Sequence, residues 1–252
     1  MAAASINNVI GERFIELLSV DSTNNYAMQQ VHSGTASHGD VYFAFEQTAG
    51  RGQFNKQWLS GKGENVILSV VLGTAGLELS CQFLLNMITA LSTRQLFNKY
   101  TTEKVKIKWP NDIYCRDRKA AGILIENVIR GKAWLFAIVG IGVNINQTRF
   151  SEGLKNPISL KQLTGKSYNV VELARELCIL LEGNLKMLYD GRKNDILESY
   201  NEQLYKLNEA ADFKEGTAMF SGVVKEVDEM GNIIIDSGVK RTYRSGQLEW
   251  LH

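Results

Sequence analysis

The sequence predicts an α+β chain that ends in a small all-β module. Two observations predict it. Up to about residue 207, short runs rich in Val, Ile and Leu alternate with segments whose apolar residues recur at helical spacing. From Thr217 onward that spacing disappears, and brief strands are punctuated by Gly222, Gly231, Gly238 and Gly246. With 252 residues, 44% of them hydrophobic, the chain can build one large domain, or a large and a small one, around a proper core. The boundary is expected near Asp212–Gly216, dividing residues 1–211 from 212–252.

Phe14 to Val20 reads as a first strand. Asp21-Ser22-Thr23-Asn24-Asn25 then supplies N-caps for a helix through Tyr26 to Val31. Val41–Glu46 and Asn65–Leu72 are the next strands, separated by a polar, Gly-rich loop from Gln47 to Ser60. Between Ser80 and Tyr100, Phe83, Leu84, Met87, Ile88, Leu91 and Leu96 predict an amphipathic helix. Val105–Lys108, Ile113–Cys115 and Ala120–Asn127 read as short strands, and Arg130-Gly131-Lys132 as a hairpin turn into Trp134–Ile141. Helices are predicted over Val170–Leu188 and Lys193–Leu207. The final strands are Val223–Val227, Asn232–Asp236, Arg241–Tyr243 and Gln247–Trp250.

A net charge of +1 supplies no field toward nucleic acid or membrane. No apolar run reaches transmembrane length, and the first ten residues lack a charged stretch ahead of an apolar one. Neither an anchor nor a leader is expected, and the cytoplasm is the default compartment. Cys81, Cys115 and Cys178 are odd in number and lack metal-ligand spacing, which argues against zinc and against a disulfide framework. Basic residues do concentrate locally. Between Lys99 and Lys119 stand seven Lys/Arg (99, 104, 106, 108, 116, 118, 119) against three Asp/Glu (103, 112, 117), a patch that suits an anionic small molecule better than a duplex.

Four segments carry candidate chemistry. In Lys108-Trp109-Pro110-Asn111-Asp112, a cation and a flat apolar face precede a stiff bend. Lys119 then opens a run to Glu126 that reads as a buried strand, a reasonable place to handle a phosphate or carboxylate. Read alone, the stretch is as readily a surface turn with solvated charges. In Gln47–Trp58, Gly50 and Gly52 free the backbone around Arg51, so N–H groups can turn toward an anion, and Trp58 can stack on a purine. Alone, it is also a surface loop anchored by its Trp. Gly140-Ile141-Gly142-Val143-Asn144-Ile145-Asn146 closes a strand with Asn144 and Asn146 on one face, and no helix follows to make a dinucleotide fingerprint. Ser22-Thr23-Asn24 is by itself a helix N-cap whose free N–H groups can bond a small polar ligand.

In this order, Asp-Ser-Thr-Asn, Gln-x-x-Gly-Arg-Gly…Trp, Lys-Trp-Pro-Asn-Asp…Lys-x-x-Gly-Ile-Leu-x-Glu and Gly-x-Gly-x-Asn-x-Asn resemble the biotin protein ligases from about Phe14 to Asn146. The resemblance implies a mixed β-sheet backed by helices, plus a C-terminal Src-homology-3-like barrel. It implies activation of biotin by MgATP as biotinyl-5′-AMP, then transfer to a lysine of a biotin carboxyl carrier protein or domain. With the first strand starting near Phe14, the ligase-only type is expected, without specific DNA or membrane partners; a homodimer is compatible with it.

By the same resemblance, Ser22, Thr23 and Asn24 bond the biotin ureido group, with Gln47 beside its ring. Arg51 and Gly52 hold the carboxylate and α-phosphate, and Lys119 is the principal catalytic cation. Gly122, Ile123 and Leu124 form the apolar wall, Trp58 packs on adenine, Asn111 and Asn144 face the nucleotide, and Asp112 orients Lys119 or the incoming lysine. Dedicated protein ligands for a metal are not expected beyond the Mg2+ carried by ATP. The family pattern Gly-Arg-Gly-Arg-x-Gly-Arg-x-Trp is altered here, with Gln53, Asn55 and Lys56 in place of Arg, Gly and Arg. Gln53, still a hydrogen-bond donor on the biotin side, brings no charge, which bears on how tightly the adenylate is held. Lipoate–protein ligase is the nearest rival, disfavoured by the lack of an Arg-Arg-x-Ser-Gly-Gly-Gly loop. A non-catalytic biotin-binding module is disfavoured by the presence of both Arg51 and Lys119. The C-terminal module is expected to be a separable cap whose removal spares biotin affinity and impairs transfer.

Overall fold

The computed structural model describes residues 8–251 except Lys155, and for Asn55 the backbone only. Most of the stretch read above for a leader, and the side chain at one altered motif position, lie outside the described residues.

Seven strands form the main sheet: β1 (Phe14–Leu17), β2 (Val41–Ala44), β3 (Val66–Gly73), β4 (Val105–Lys108), β5 (Asp112–Cys115), β6 (Arg118–Arg130) and β7 (Ala133–Val143). Their order is β1-β2-β3-β7-β6-β5-β4. Only β1 and β2 run parallel and every other pair is antiparallel, so the sheet is mixed as expected. Period-two alternation explains the apolar runs. Val41, Phe43, Val70, Leu72, Ala137 and Val139 face one core, while Tyr42, Val71, Phe136 and Ile138 face a second. Both faces are covered, so β3 is buried at every position.

Helix α1 (Thr23–His32) supplies Ala27 and Val31 to the smaller core. Helices α2 (Gln82–Lys99), α4 (Val170–Tyr189) and α5 (Lys193–Glu202) pack together on the other side. Helix α2 is less one-sided than its apolar spacing suggested, since Asn86, Thr89, Ser92 and Thr93 are buried too. The hydroxyls of Thr89, Ser92 and Thr93 satisfy themselves on carbonyls one turn back. The sequence reading did not pick out the short α3 (Leu160–Thr164), although Ser159 and Gln162 form a capping box.

Helix α5 stops at Glu202, short of the expected Leu207. The chain turns at Gln203 and Leu204 bridges to Ile107 of β4, where Ile107 donates to Gln203 O and Tyr205 donates to Ile107 O, both at 2.8 Å. Backbone pairing outcompetes continuation of the helix there. Beyond it lie β8 (Ala210–Glu215), β9 (Ala218–Val227), β10 (Ile233–Asp236), β11 (Lys240–Tyr243) and β12 (Leu248–Leu251), an antiparallel sheet in the order β11-β10-β9-β8-β12. Strand β8 was not foreseen, and it starts ahead of the boundary expected at residues 211/212. Phe213, Val224, Val227, Ile233, Ile235 and Tyr243 join the same core cluster as α2 and the main sheet. The module is therefore not a detached cap. Among the described residues no helix is long and apolar enough to cross a membrane.

Candidate active site

One cavity of about 1020 Å³ opens over the central strands and reaches the second sheet. Small-molecule sites run to roughly 300–1,000 Å³, so this one has room for more than a single small ligand. Every residue given a ligand or catalytic role by the resemblance lines it: Ser22, Thr23, Asn24, Gln47, Arg51, Gly52, Gln53, Trp58, Asn111, Asp112, Lys119, Gly122, Ile123, Leu124 and Asn144; Gly50 and Asn146 do not. Segments far apart in the chain converge because β6 and β7 form a long hairpin at the sheet centre, with α1 beginning against it.

At one end, Ser22 stands at the α1 N-cap in extended backbone but makes no side-chain cap bond. Thr23 donates from its backbone and its hydroxyl to Gln47 Oε1, at 2.8 and 3.1 Å. Asn24 is more committed than its expected role requires. Its Nδ2 donates to Glu126 Oε2 at 2.8 Å and to Leu124 O at 3.3 Å, and its Oδ1 lies 2.6 Å from the Ser69 hydroxyl. Both amide protons are spent, so Asn24 braces this end. Gly140 permits the arrangement, because any Cβ there would collide with the Asn24 amide.

On the Gln47–Trp58 loop, Arg51 forks onto Glu126 and also donates to Asn25 Oδ1 at 2.7 Å. The Gly52 N–H, expected to face an anion, donates instead to Lys56 O at 2.7 Å and closes a turn within the loop. Trp58 lies against β6 and β7. Gly142 is required here, since a Cβ would run into the indole ring. The Trp58 indole N–H is buried without a protein partner. Trp58 thus both anchors its loop, the plainer reading, and leaves a donor in the cavity wall.

Lys119 Nζ lies 2.7 Å from Asp112 Oδ1. That oxygen lacks a well-directed hydrogen bond, so the contact is a charge pair, and the same ammonium lies 5.9 Å from the Trp58 ring centroid. The Lys119 backbone, by contrast, is tightly held. Its N–H donates to Asn156 O at 2.7 Å, and its carbonyl accepts from Ile158 N at 2.9 Å and Asn144 Nδ2 at 3.2 Å. Asn111 Nδ2 donates to Ile123 O at 2.6 Å. The two asparagines expected on a nucleotide therefore spend these amides clamping both ends of the Lys119–Ile123 segment. Asn144 and Asn146 lie past the end of β7, and Asn146 does not line the cavity but bonds Tyr168.

Trp109 lines the cavity only as a buried wall residue. Its indole N–H donates to Gly231 O of the β9–β10 turn at 2.9 Å. Pro110, after a cis bond, accepts through its carbonyl from Asn86 and Tyr200. Lys108 is buried among Tyr114, Tyr205 and Trp250, with Nζ 4.5, 5.7 and 5.2 Å from the ring centroids. Burial and the Asp112 charge push the Tyr114 phenol up, so it remains neutral beside this cation. The three cysteines are buried thiols, and burial pushes Cys115 up to about 11.

Ser69 and Glu126 were not singled out as site residues. Each is a polar residue in an otherwise apolar strand run, Val-Ile-Leu-Ser-Val-Val-Leu and Ala-Ala-Gly-Ile-Leu-Ile-Glu, and that interruption was the available signal.

Fold and site together define a ligase-family catalytic unit. Residues 17–144 match the biotin/lipoate A/B protein ligase family, and the chain belongs to it. It is 28% identical over 239 residues to the bifunctional ligase/repressor BirA of Escherichia coli, covering 91% of this chain and 71% of that one. The biotin–[acetyl-CoA-carboxylase] ligase of Paracoccus denitrificans is 28% identical over 225 residues, 87% of this chain and 92% of the relative. Among solved structures, the biotin protein ligase of Aquifex aeolicus in complex with biotin and ATP superposes with a TM-score of 0.80 at 26% identity, over 96% of this chain and 99% of that one.

Proposed function

We propose that this chain is a biotin–[biotin carboxyl-carrier protein] ligase. The biotin carboxylate attacks the α-phosphate of MgATP, releasing pyrophosphate. A carrier lysine then attacks the mixed anhydride, forming the amide and releasing AMP. The observation that carries the reading is one cavity joining all four motif segments, with both Arg51 and Lys119 in its lining. Bringing two anions together calls for cations and positioning.

Ser22, Thr23 and Gln47 are proposed to take the ureido ring, and Ile123 and Leu124 the apolar body. Arg51, Gln53 and Lys119 take the carboxylate and α-phosphate, and Trp58 the nucleotide. Mg2+ is taken as part of the MgATP substrate, held mainly by phosphate oxygens. The proposed compartment is the cytoplasm.

Pyrophosphate release from ATP with biotin, with lipoate and with neither tests the reaction, and labelling of a purified carrier domain tests the transfer. Release with biotin alone supports the reading. Release with lipoate alone makes the chain a lipoate ligase, and none with either makes it a binding module. Gly142→Ala should displace Trp58 and raise the KM for ATP about tenfold, equivalent to ~1.4 kcal/mol of lost contact, with a smaller change for biotin. Steady-state kinetics in both substrates check this, and an unchanged KM for ATP would take Trp58 off the nucleotide.

A further inference from the structure

We propose that Glu126 is a positioning residue for the cavity, fixing Arg51 and Asn24 with one carboxylate; this rests on the functional reading above. Glu126 does not itself line the cavity. It sits on β6 opposite Ile138 of β7, within the long β6–β7 pairing. Its Oε1 accepts from Arg51 Nη2 at 2.9 Å, and its Oε2 from Arg51 Nη1 at 3.3 Å and Asn24 Nδ2 at 2.8 Å. One strand residue thereby ties a cation on a glycine-flanked loop to the first turn of α1.

The chemistry explains why a carboxylate stands here at all. Bare, it would repel the biotin carboxylate and the phosphates. Forked onto Arg51, it orients the guanidinium, whose N–H groups outside the pair still donate to an anion. Arg51 is on a loop and half exposed, so without a fixed partner its long side chain would have to be ordered by each incoming ligand. The bidentate pair presets the guanidinium plane and leaves its remaining N–H groups for the ligand. The bond to Asn24 links the same carboxylate to the Ser69–Thr23–Gln47 network at the other end of the biotin seat.

The test uses the full chain. Glu126→Gln keeps the volume and an acceptor for Asn24 but loses the charge on Arg51. It should melt as the wild type does and raise the KM for biotin in pyrophosphate release about tenfold, the scale of a lost charge-assisted contact. Arg51→Lys should cost about as much in the wild type, and less than about twofold more in Glu126→Gln, because coupled residues are non-additive. A crystal structure of Glu126→Gln should show Arg51 displaced. Wild-type KM in Glu126→Gln, multiplicative effects with Arg51→Lys, or an unmoved Arg51 would each overturn the proposal. A lowered melting temperature with normal KM would make Glu126 a structural brace only, which also overturns it. A wild-type chain without biotin-dependent release would overturn the functional reading itself, and this inference with it.

Discussion

Lys119→Ala is expected to lower biotin-dependent pyrophosphate release by about two to three orders of magnitude, ~2.7–4 kcal/mol of lost charge stabilisation, while the protein stays folded. The structure separates these two effects. Three backbone hydrogen bonds hold residue 119 in place whatever its side chain, and the buried Ala120 and Ala121 that follow are untouched. The side chain is about one-third exposed and already borders the open cavity, so its removal widens that cavity and leaves the buried core intact. Lys119→Arg should recover little, because a planar fork does not replace a compact point charge. The assay is pyrophosphate release at saturating ATP and biotin, with thermal melting on the same preparation. A near-normal rate in Lys119→Ala would remove this lysine from the mechanism.

What was legible in the sequence, and what was not, follows from range. Apolar runs rich in Val, Ile and Leu located β3, β6 and β7, and the two-residue turn at Gly131-Lys132 appears where expected, joining Arg130 to Ala133. Those signals are local. The end of α5 was misread because pairing of residues 203–205 with Ile107 decides it, and nothing within the helix announces that partner. Strand β8 was missed because Ala-Ala-Asp-Phe-Lys-Glu has weak β character and becomes a strand through its neighbours β9 and β12.

The same division holds at the site. Residue types and order placed every residue given a ligand or catalytic role in one cavity, but not the direction of each hydrogen bond. Asn24, Asn111 and Asn144 looked like ligand donors, yet their amides are largely committed to Glu126, Ile123 O and Lys119 O. A polar residue beside a ligand is as often needed to satisfy the strand ends that shape the cavity. Trp109 is the clearest case. In sequence it was the most conspicuous apolar surface next to a cation, and in the fold its indole N–H closes onto a carbonyl 122 residues further along the chain.

That bond bears on the second large effect, removal of the C-terminal sheet. A chain ending at Ala211 is expected to lose cooperative folding and, with it, biotin affinity, contrary to the separable cap suggested by its Gly-punctuated strands. The cut falls inside β8 and deletes Phe213, Val224, Val227, Ile233, Ile235 and Tyr243 from the shared core. Each large buried side chain contributes ~2–5 kcal/mol, against ~5–15 kcal/mol for a whole domain, so the loss exceeds what a marginally stable fold can absorb. It would also strip Gly231 O from the Trp109 N–H, Trp250 from the Lys108 ammonium and Val227 from Asn201. Trp109→Phe isolates one of these contacts. It keeps the aromatic packing but leaves the Gly231 carbonyl without its donor, which should cost ~1–3 kcal/mol of stability. It should also slow adenylation, because the loosened bend carries Asp112 and hence the Lys119 pair. Thermal melting, biotin calorimetry and pyrophosphate release on the two variants decide the matter. A truncated chain that melts cooperatively and binds biotin would show the sheet to be separable after all. A Trp109→Phe protein with wild-type melting and wild-type rate would show that the bend holds its shape without the second sheet.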